Sequence, residues 1–203
     1  MVKEYVISDM HFFHRNICGE ASFMDTRKQF KDVEEMNEYL INEWNTTVRP
    51  EDVVYHLGDF SMGAKVNSVV NVLERLNGTI WLIKGNHDNS PLRKAVKNNT
   101  SLNSRVHWED VGIILKRMHK VVHMTHYPLI LGDRGNLINL HGHIHELARH
   151  EPNLLNVGVD SPELDNHKLG KPLLLEDAIR LVNRKQVNFN KASRTYSIHG
   201  DLQ

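Results

Sequence analysis

The residues best able to do chemistry in this sequence are acidic, amide and imidazole side chains that directly follow short apolar segments. They occur in five runs: Ser8-Asp9-Met10-His11, Gly58-Asp59, Gly85-Asn86-His87-Asp88, Thr125-His126-Tyr127 and His141-Gly142-His143-Ile144-His145. Carboxylate oxygen, amide oxygen and imidazole nitrogen, without a thiolate, suit Mn, Fe, Ni, Co or Zn. The ligand types therefore predict a metal centre at the ends of several strands.

A carboxylate in such a set is able to bridge two divalent ions and hold them ~3.5–4 Å apart, an arrangement that clamps a phosphoryl group and acidifies a bound water. Side chains alternate along an extended chain, so we expect Asp9 and His11 to point the same way. The same holds for His143 and His145, and each pair is then able to reach one site. Glycines that fit tight turns without space for a Cβ precede three candidates; they are Gly58, Gly85 and Gly142.

The elements that must position these residues begin with six short segments rich in β-branched and apolar residues. Each predicts a buried strand. The segments are Tyr5–Ile7, Val53–Leu57, Thr79–Ile83, Val121–Met124, Leu137–Leu140 and Leu154–Val157.

Helical patterns lie between and after these strands. Asp32 with Glu35 predicts a capping-box start, and Met36, Leu40 and Trp44 continue one apolar face. A second apolar stripe runs over 66–76 and stops at Asn77-Gly78, Ser90-Pro91 caps a short helix over 92–97, and residues 178–182 predict a helix near the C-terminus. Alternating strands and helices predict an α/β domain with ligands at the polar ends of the strands.

Composition and length narrow the class of protein. The chain has 203 residues without an internal repeat or linker, which predicts one domain over residues 1–203. Its formal net charge is zero, which weakens the case for tight non-specific nucleic-acid binding. A single cysteine excludes an internal disulfide framework. With neither a signal peptide nor an apolar run of roughly 20 residues, the sequence predicts a cytoplasmic protein without a membrane span.

The five runs, in this order from Asp9 to His145, resemble the motifs of the calcineurin-like metallophosphoesterase superfamily, in a small bacterial or phage-type form. The resemblance implies an α/β sandwich of two mixed β-sheets flanked by helices (α/β/β/α). It implies one metal bound by Asp9, His11, Asp59 and His145, and a second bound by Asp59, Asn86, His126 and His143. Asp59 is then the bridge, and His87 acts beside the metals as a general acid or transition-state stabiliser.

The same resemblance implies a hydrolase that attacks phosphate esters with water activated by two divalent ions. We expect manganese in vitro, with Fe, Ni, Co and Zn as alternatives. The substrate is expected to be small and phosphorylated, a nucleotide or a nucleic-acid end among the possibilities, and no obligate protein partner is evident. A phosphomonoesterase and a non-catalytic metal-binding scaffold are the alternatives, although every expected ligand and His87 are present.

One position departs from the superfamily pattern Gly-Asp-x-x-Asp, whose last Asp is expected to orient the histidine at position 87. Met62 stands there, and a thioether does not orient an imidazolium as a carboxylate does. Either another acid such as Asp88 supplies the contact, or His87 is a weaker acid–base group. The arginine that phosphatases carry in this motif is also absent, which favours diesters unless Arg27 or Arg134 supplies the cation.

Other candidates receive structural interpretations. We expect His56 and His141 in the core or behind the ligands, and the Phe12-Phe13 pair in packing. For His14, Asn16 and Arg27, a surface or structural role is favoured over contact with the phosphate or leaving group.

Overall fold

The computed structural model describes residues 1–132, 134–164 and 167–200, with side chains described up to residue 192. Two mixed β-sheets lie between helices. The first sheet has the strand order β4-β3-β2-β1-β9, in which β1 to β4 are parallel and β9 is antiparallel to β1. Its strands are β1 Glu4–Ile7, β2 Val53–His56, β3 Thr79–Ile83, β4 Val106–Glu109 and β9 Leu173–Leu174.

The second sheet has the strand order β5-β6-β7-β8, in which β6, β7 and β8 are parallel and β5 is antiparallel to β6. Its strands are β5 Gly112–Arg117, β6 Lys120–Thr125, β7 Leu137–His141 and β8 Leu154–Asn156. The expected fold class, an α/β sandwich of two mixed sheets flanked by helices, is confirmed.

Four α-helices flank the sheets: α1 Val33–Thr47, α2 Val66–Arg75, α3 Ser90–Asn98 and α4 Leu175–Gly200. Two short 3₁₀ helices, Arg15–Ile17 and Asp25–Arg27, follow β1. Among the residues that the structure describes, no helix is both long enough and apolar enough to cross a membrane.

The core has two parts, one on each face of the first sheet. On one face, buried side chains of β1, β2 and β3 pack against α1, α2 and α3, with Trp44 fully buried among them. On the other face, Val6 and Tyr55 pack against Val122 and Ile138 of the second sheet and against Ile179 of α4. The sheets are therefore held face to face by apolar burial, and this fixes the relative position of their strand ends.

The six predicted strands are confirmed, each within one residue at either end. Strands β4, β5 and β9 were not predicted, because β4 mixes Val106 with His107, Trp108 and Glu109, β5 is half exposed, and β9 has two residues. The predicted cap of α3 was wrong by one residue: the side chain of Asn89, not Ser90, accepts the N–H of Leu92 at 3.0 Å.

The start of α1 allows a test of the capping box that the sequence predicts. Asp32 Oδ1 accepts the N–H of Glu35 at 2.8 Å, and Glu35 Oε2 accepts the N–H of Lys31 at 2.7 Å. Replacement Asp32→Ala removes a capping acceptor, so we expect the free energy of unfolding to fall by about 1 kcal/mol in urea titrations. Glu51→Ala, at an exposed turn, is the control and should leave stability within about 0.5 kcal/mol. Equal effects of the two variants would contradict the capping role.

Candidate metal centre

Five of the parallel strands end at one place, and each is followed by a polar side chain that faces the others. Asp9 and His11 follow β1, and Asp59 follows β2. The remaining candidates follow β3, β6 and β7 in the same way; they are Asn86, His87, His126, His143 and His145. Parallel strands place their carboxyl ends at the same edge of a sheet, and the face-to-face sheets bring the two edges together.

The side chains gather into two groups. One ligand atom each of Asp9, His11 and His145 lies within 4.8 Å of the others, and the same holds for Asp59, His126 and His143. Each group combines one carboxylate with two imidazoles, a donor set suited to first-row divalent metals.

Asp59 lies between the two groups. Its Oδ2 is 3.4 Å from His126 Nε2, 3.6 Å from His11 Nε2 and 3.9 Å from His87 Nε2. Its Oδ1 accepts the backbone N–H of His87 at 2.9 Å, which fixes the carboxylate. One carboxylate oxygen is therefore directed at nitrogens from both groups, the arrangement that a shared ligand of two cations requires.

His126 and Asn86 face each other through two hydrogen-bond acceptors, His126 Nε2 and Asn86 Oδ1. His126 Nδ1 donates to Leu57 O at 2.9 Å, so the lone pair of the neutral ring is at Nε2. That nitrogen is 2.9 Å from Asn86 Oδ1, also an acceptor. Burial lowers the pKa of His126, but the hydrogen bond and charge of Asp59 outweigh it and hold the pKa above its ordinary value. The position thus attracts a positive charge, a proton or a metal ion.

Several imidazole nitrogens of the site are buried without a hydrogen-bond partner among the described residues. These are both ring nitrogens of His11 and Nδ1 of His145. A buried polar atom without a partner costs about 1–3 kcal/mol. Burial, with the nearby Arg27 charge, lowers the pKa of His11 to about 2, so this ring is neutral and able to ligate. The residues present therefore fit a pair of divalent ions, which would satisfy these atoms.

The two carboxylates of the site differ in acidity. Burial raises the pKa of Asp9 to about 6, and both of its oxygens lie near the backbone N–H of His143, at 3.1 and 3.0 Å. Burial acts to raise the pKa of Asp59 as well. The hydrogen bond and charge of His126, together with the hydrogen bond from the His87 N–H, outweigh burial and lower this pKa to about 2. Asp59 is therefore the permanent anion of the centre, and Asp9 becomes one near neutral pH.

The backbone that carries the ligands is strained. Five candidate ligands have positive φ: Asp9 (59°), His11 (51°), Asp59 (53°), His143 (71°) and His145 (47°). Asp9 and His11 lie in one group as predicted, but His143 and His145 separate into different groups, because alternation along an extended chain does not hold in left-handed turns. Such conformations cost on the order of 1–3 kcal/mol each and persist where the surrounding fold imposes them.

The glycines have the role expected from the sequence, and the space they leave is occupied by the candidate ligands. A Cβ on Gly85 would overlap Asp59 N and Oδ1, and one on Gly142 would overlap Ser8 Oγ and Asp9 Oδ2. Gly58 has φ of 98° and lies against His126 Nδ1. The carboxylates reach the centre because these positions carry no side chain.

Asp88 does not orient His87, so the structure answers one question that the sequence left open. Its Oδ1 accepts the N–H of Phe60 at 3.0 Å and its Oδ2 accepts the N–H of Gly85 at 2.9 Å. The carboxylate thus ties together the loops that follow β2 and β3. The side chain of His87 is 34% exposed, and its recorded carboxylate contact is with Asp59.

Arg27 and Asp160 form a buried ion pair behind the centre. Arg27 Nη2 is 2.7 Å from Asp160 Oδ2 and 2.7 Å from Asp9 O, and Nη1 donates to Met10 O at 2.9 Å. Asp160 Oδ2 lies 3.7 Å from His145 Nδ1. Arg27 therefore has a structural role, as favoured from the sequence, and it is fully buried. Asp160 was missed, although an acid three residues beyond a predicted strand is the same kind of signal that marked the other candidates.

The remaining histidines and aromatics divide between packing and the site. His56 and His141 are fully buried, and Phe12 packs against Phe60, as expected. Asn16 is exposed. The ring of His14, by contrast, lies beside the centre, 5.3 Å from the ring of His11. Tyr127, which sequence reasoning did not single out, is half exposed and contacts His143 edge-on at 4.6 Å between ring centroids.

The sequence of this chain is similar to a known family and to two known proteins. A sequence model of the calcineurin-like phosphoesterase family matches residues 3–199. The uncharacterized protein MJ1445 of Methanocaldococcus jannaschii is 36% identical over 146 residues, which are 68% of this chain and 80% of that protein. Gene 66 protein of Mycobacterium phage L5 is 26% identical over 194 residues, 79% of this chain and 88% of that protein.

Two solved structures align with this chain, and one of them shares its fold. A protein of unknown function from Aquifex aeolicus, AQ665, aligns with a TM-score of 0.61 and 22% identity, covering 89% of this chain and 100% of that chain. An archaeal phosphodiesterase aligns with a TM-score of 0.43 and 21% identity over 79% of this chain and 84% of that one. The first similarity shows the fold alone, and the second is too low to bear on activity.

The crowding at Gly142 generates a prediction for metal affinity. In Gly142→Ala the added methyl displaces the Asp9 carboxylate, so we expect manganese affinity to fall by roughly 10–100-fold, the usual effect of disturbing the support of a ligand. Gly135→Ala is the matched control, because an added Cβ there has no neighbour within 4 Å in the described structure. Isothermal titration of both variants measures the effect, and wild-type affinity in Gly142→Ala would refute it.

The pKa directions predict how metal binding depends on pH. In the metal-free protein, Asp9 takes up a proton as pH falls through about 6, and His126 and His145 do so above the ordinary histidine value. A metal must displace these protons, so affinity should decrease as pH falls from about 7.5 to about 5.5. Titrations in buffers of different ionisation enthalpy should show proton release that grows toward low pH. Affinity that is constant over this range would contradict the assignment.

Proposed function

The chain belongs to the calcineurin-like phosphoesterase family, a family of metal-dependent hydrolases of phosphate esters, and on this premise we propose that it cleaves phosphodiesters or small nucleotides at a dinuclear metal centre. The observation that carries the proposal is the position of Asp59 Oδ2, which lies within 3.9 Å of nitrogens of His11, His126 and His87. Such a carboxylate is suited to bridge two ions, and the partly exposed side chain of His87 lies beside it.

The proposed ligand sets follow the two groups and their neighbours. Asp9, His11, His145 and Asp59 hold one ion, and Asp59, His126, His143 and Asn86 hold the other. Manganese is the ion expected in vitro. Two ions in such a site neutralise the phosphate and lower the pKa of a bound water.

The chain's own residues prepare the site for this chemistry. The backbone N–H groups of His143 and His87 fix the carboxylates of Asp9 and Asp59. The hydrogen bond from His126 Nδ1 to Leu57 O keeps Nε2 directed at Asn86 and Asp59. His87 is adjacent to Asp59 yet partly exposed, so it is placed to donate a hydrogen bond or a proton to the leaving group.

The preference for diesters is supported by the positions of the two arginines that were candidates for the missing cation. Arg27 is fully buried and its donors are engaged by Asp160, Asp9 O and Met10 O, so it does not reach a substrate. Arg134 precedes the amino end of β7, whereas the centre lies beyond its carboxyl end, roughly 20 Å away at about 3.3 Å per residue. A diester carries one negative charge less than a monoester dianion and needs less compensation.

The test compares bis(p-nitrophenyl) phosphate with p-nitrophenyl phosphate in the manganese-loaded protein. We expect a higher kcat/KM for the diester. Asp59→Asn, which removes the shared anion, should lose nearly all turnover and at least one ion by elemental analysis. A clear monoester preference together with dephosphorylation of phosphoserine peptides would identify a phosphatase instead. Absence of turnover on both esters with metals bound would favour the scaffold alternative.

A further inference from the structure

His14 lies beside the candidate centre but outside both groups of converging ligand atoms. Its ring centroid is 5.3 Å from that of His11 and 6.5 Å from that of His87. The side chain is partly buried, so part of it remains accessible to solvent.

The fold holds this residue in place through three backbone contacts. The N–H of His14 donates to His11 O at 3.2 Å, and the N–H of Phe12 donates to Phe60 O at 2.9 Å. Asn37 Oδ1, on α1, accepts the N–H of Phe13 at 3.0 Å, and Phe13 has a φ of 67°. A left-handed turn anchored to both α1 and the loop after β2 thus directs His14 toward the centre, which a surface histidine would not require.

The hydrogen-bonding capacity of the ring is unused. Nδ1 of His14 is buried and has no hydrogen-bond partner in the described parts of the chain. A neutral imidazole has one N–H donor and one lone pair, so this ring is able to donate a hydrogen bond to a ligand. The protein fixes the position of this imidazole without satisfying it, which is typical of a group that contacts a ligand.

The opposite side chain is His87. Met62 offers it no strong donor or acceptor, and Asp88 is engaged by backbone N–H groups. The two rings are 6.5 Å apart from centroid to centroid, close enough for one oxygen atom to accept an N–H from each at about 2.9 Å.

We propose that His14 is a substrate-binding residue that, together with His87, holds one phosphate oxygen of the substrate between two imidazole donors. The inference rests on the phosphoesterase function proposed above. Each imidazole directs one N–H at the oxygen, and the pair lacks the permanent charge of a guanidinium fork, which suits the single negative charge of a diester.

The first experiment separates substrate binding from metal binding. His14→Ala should retain the wild-type manganese content by elemental analysis. Its kcat/KM for bis(p-nitrophenyl) phosphate should fall about 10–100-fold, mainly through KM, as expected for one lost hydrogen bond to a charged group. Inhibition by inorganic phosphate should weaken by a similar factor. His14→Gln, which keeps an N–H donor, should recover part of the loss and also serves if His14→Ala does not fold. His150→Ala, an exposed histidine, is the control and should match the wild type.

The second experiment asks whether both rings hold the same oxygen. His87→Ala alone should lower kcat roughly 10²–10⁴-fold with metals retained. In the double variant His14→Ala/His87→Ala the losses should be less than multiplicative, because residues that share one partner are coupled. Multiplicative losses, loss of metal in His14→Ala, or unchanged KM and phosphate inhibition would each overturn the proposal. If the wild type hydrolyses no ester, the proposed function fails, and calorimetric binding of inorganic phosphate to the manganese-loaded wild type and His14→Ala decides the role of His14 by itself.

Discussion

The carboxylate of Asp59 lies buried between two groups of imidazole rings, and an anion in that position is stable only when positive charge and hydrogen-bond donors surround it. Donor groups and imidazole rings around Asp59 meet this requirement. The N–H of His87 fixes one oxygen, and the other faces His11, His87 and His126. Gly58 and Gly85 leave the space that the carboxylate and His126 occupy. Cations shared through Asp59 complete the arrangement in the account proposed here.

Charged groups behind the candidate ligands keep the loops of the centre in their strained conformations. Asp88 joins the loops after β2 and β3, and the Arg27–Asp160 pair holds the backbone carbonyls of Asp9 and Met10. Left-handed residues at the ligand positions are intrinsically unfavourable, so this network and the parallel strands behind it must stabilise them. This conformational free-energy cost is consistent with a preorganised site, since ligands already in position need little rearrangement when metal and substrate bind.

The sequence predicted the fold and the convergence of ligands where local patterns are strong. β-branched segments marked six strands, and ligand types at the ends of five of them marked the centre. It missed Asp160, for which the one local signal was a position three residues beyond a predicted strand; the pairing with Arg27 joins distant parts of the chain and exists only in the folded state. It also misjudged the path of the loops, since alternation holds for strands and not for left-handed turns such as those at His143 and His145. The position of His14 depends on α1 through Asn37, a tertiary contact that local spacing does not reveal.

Electron paramagnetic resonance of the manganese-loaded protein tests most directly whether one carboxylate joins two metal ions. With about two equivalents of Mn²⁺ per chain, the account predicts the spectrum of an exchange-coupled pair, because a carboxylate bridge holds the ions ~3.5–4 Å apart. Replacement Asp59→Ala should abolish the coupling. A spectrum of isolated, uncoupled ions in the fully loaded wild-type protein would contradict the account.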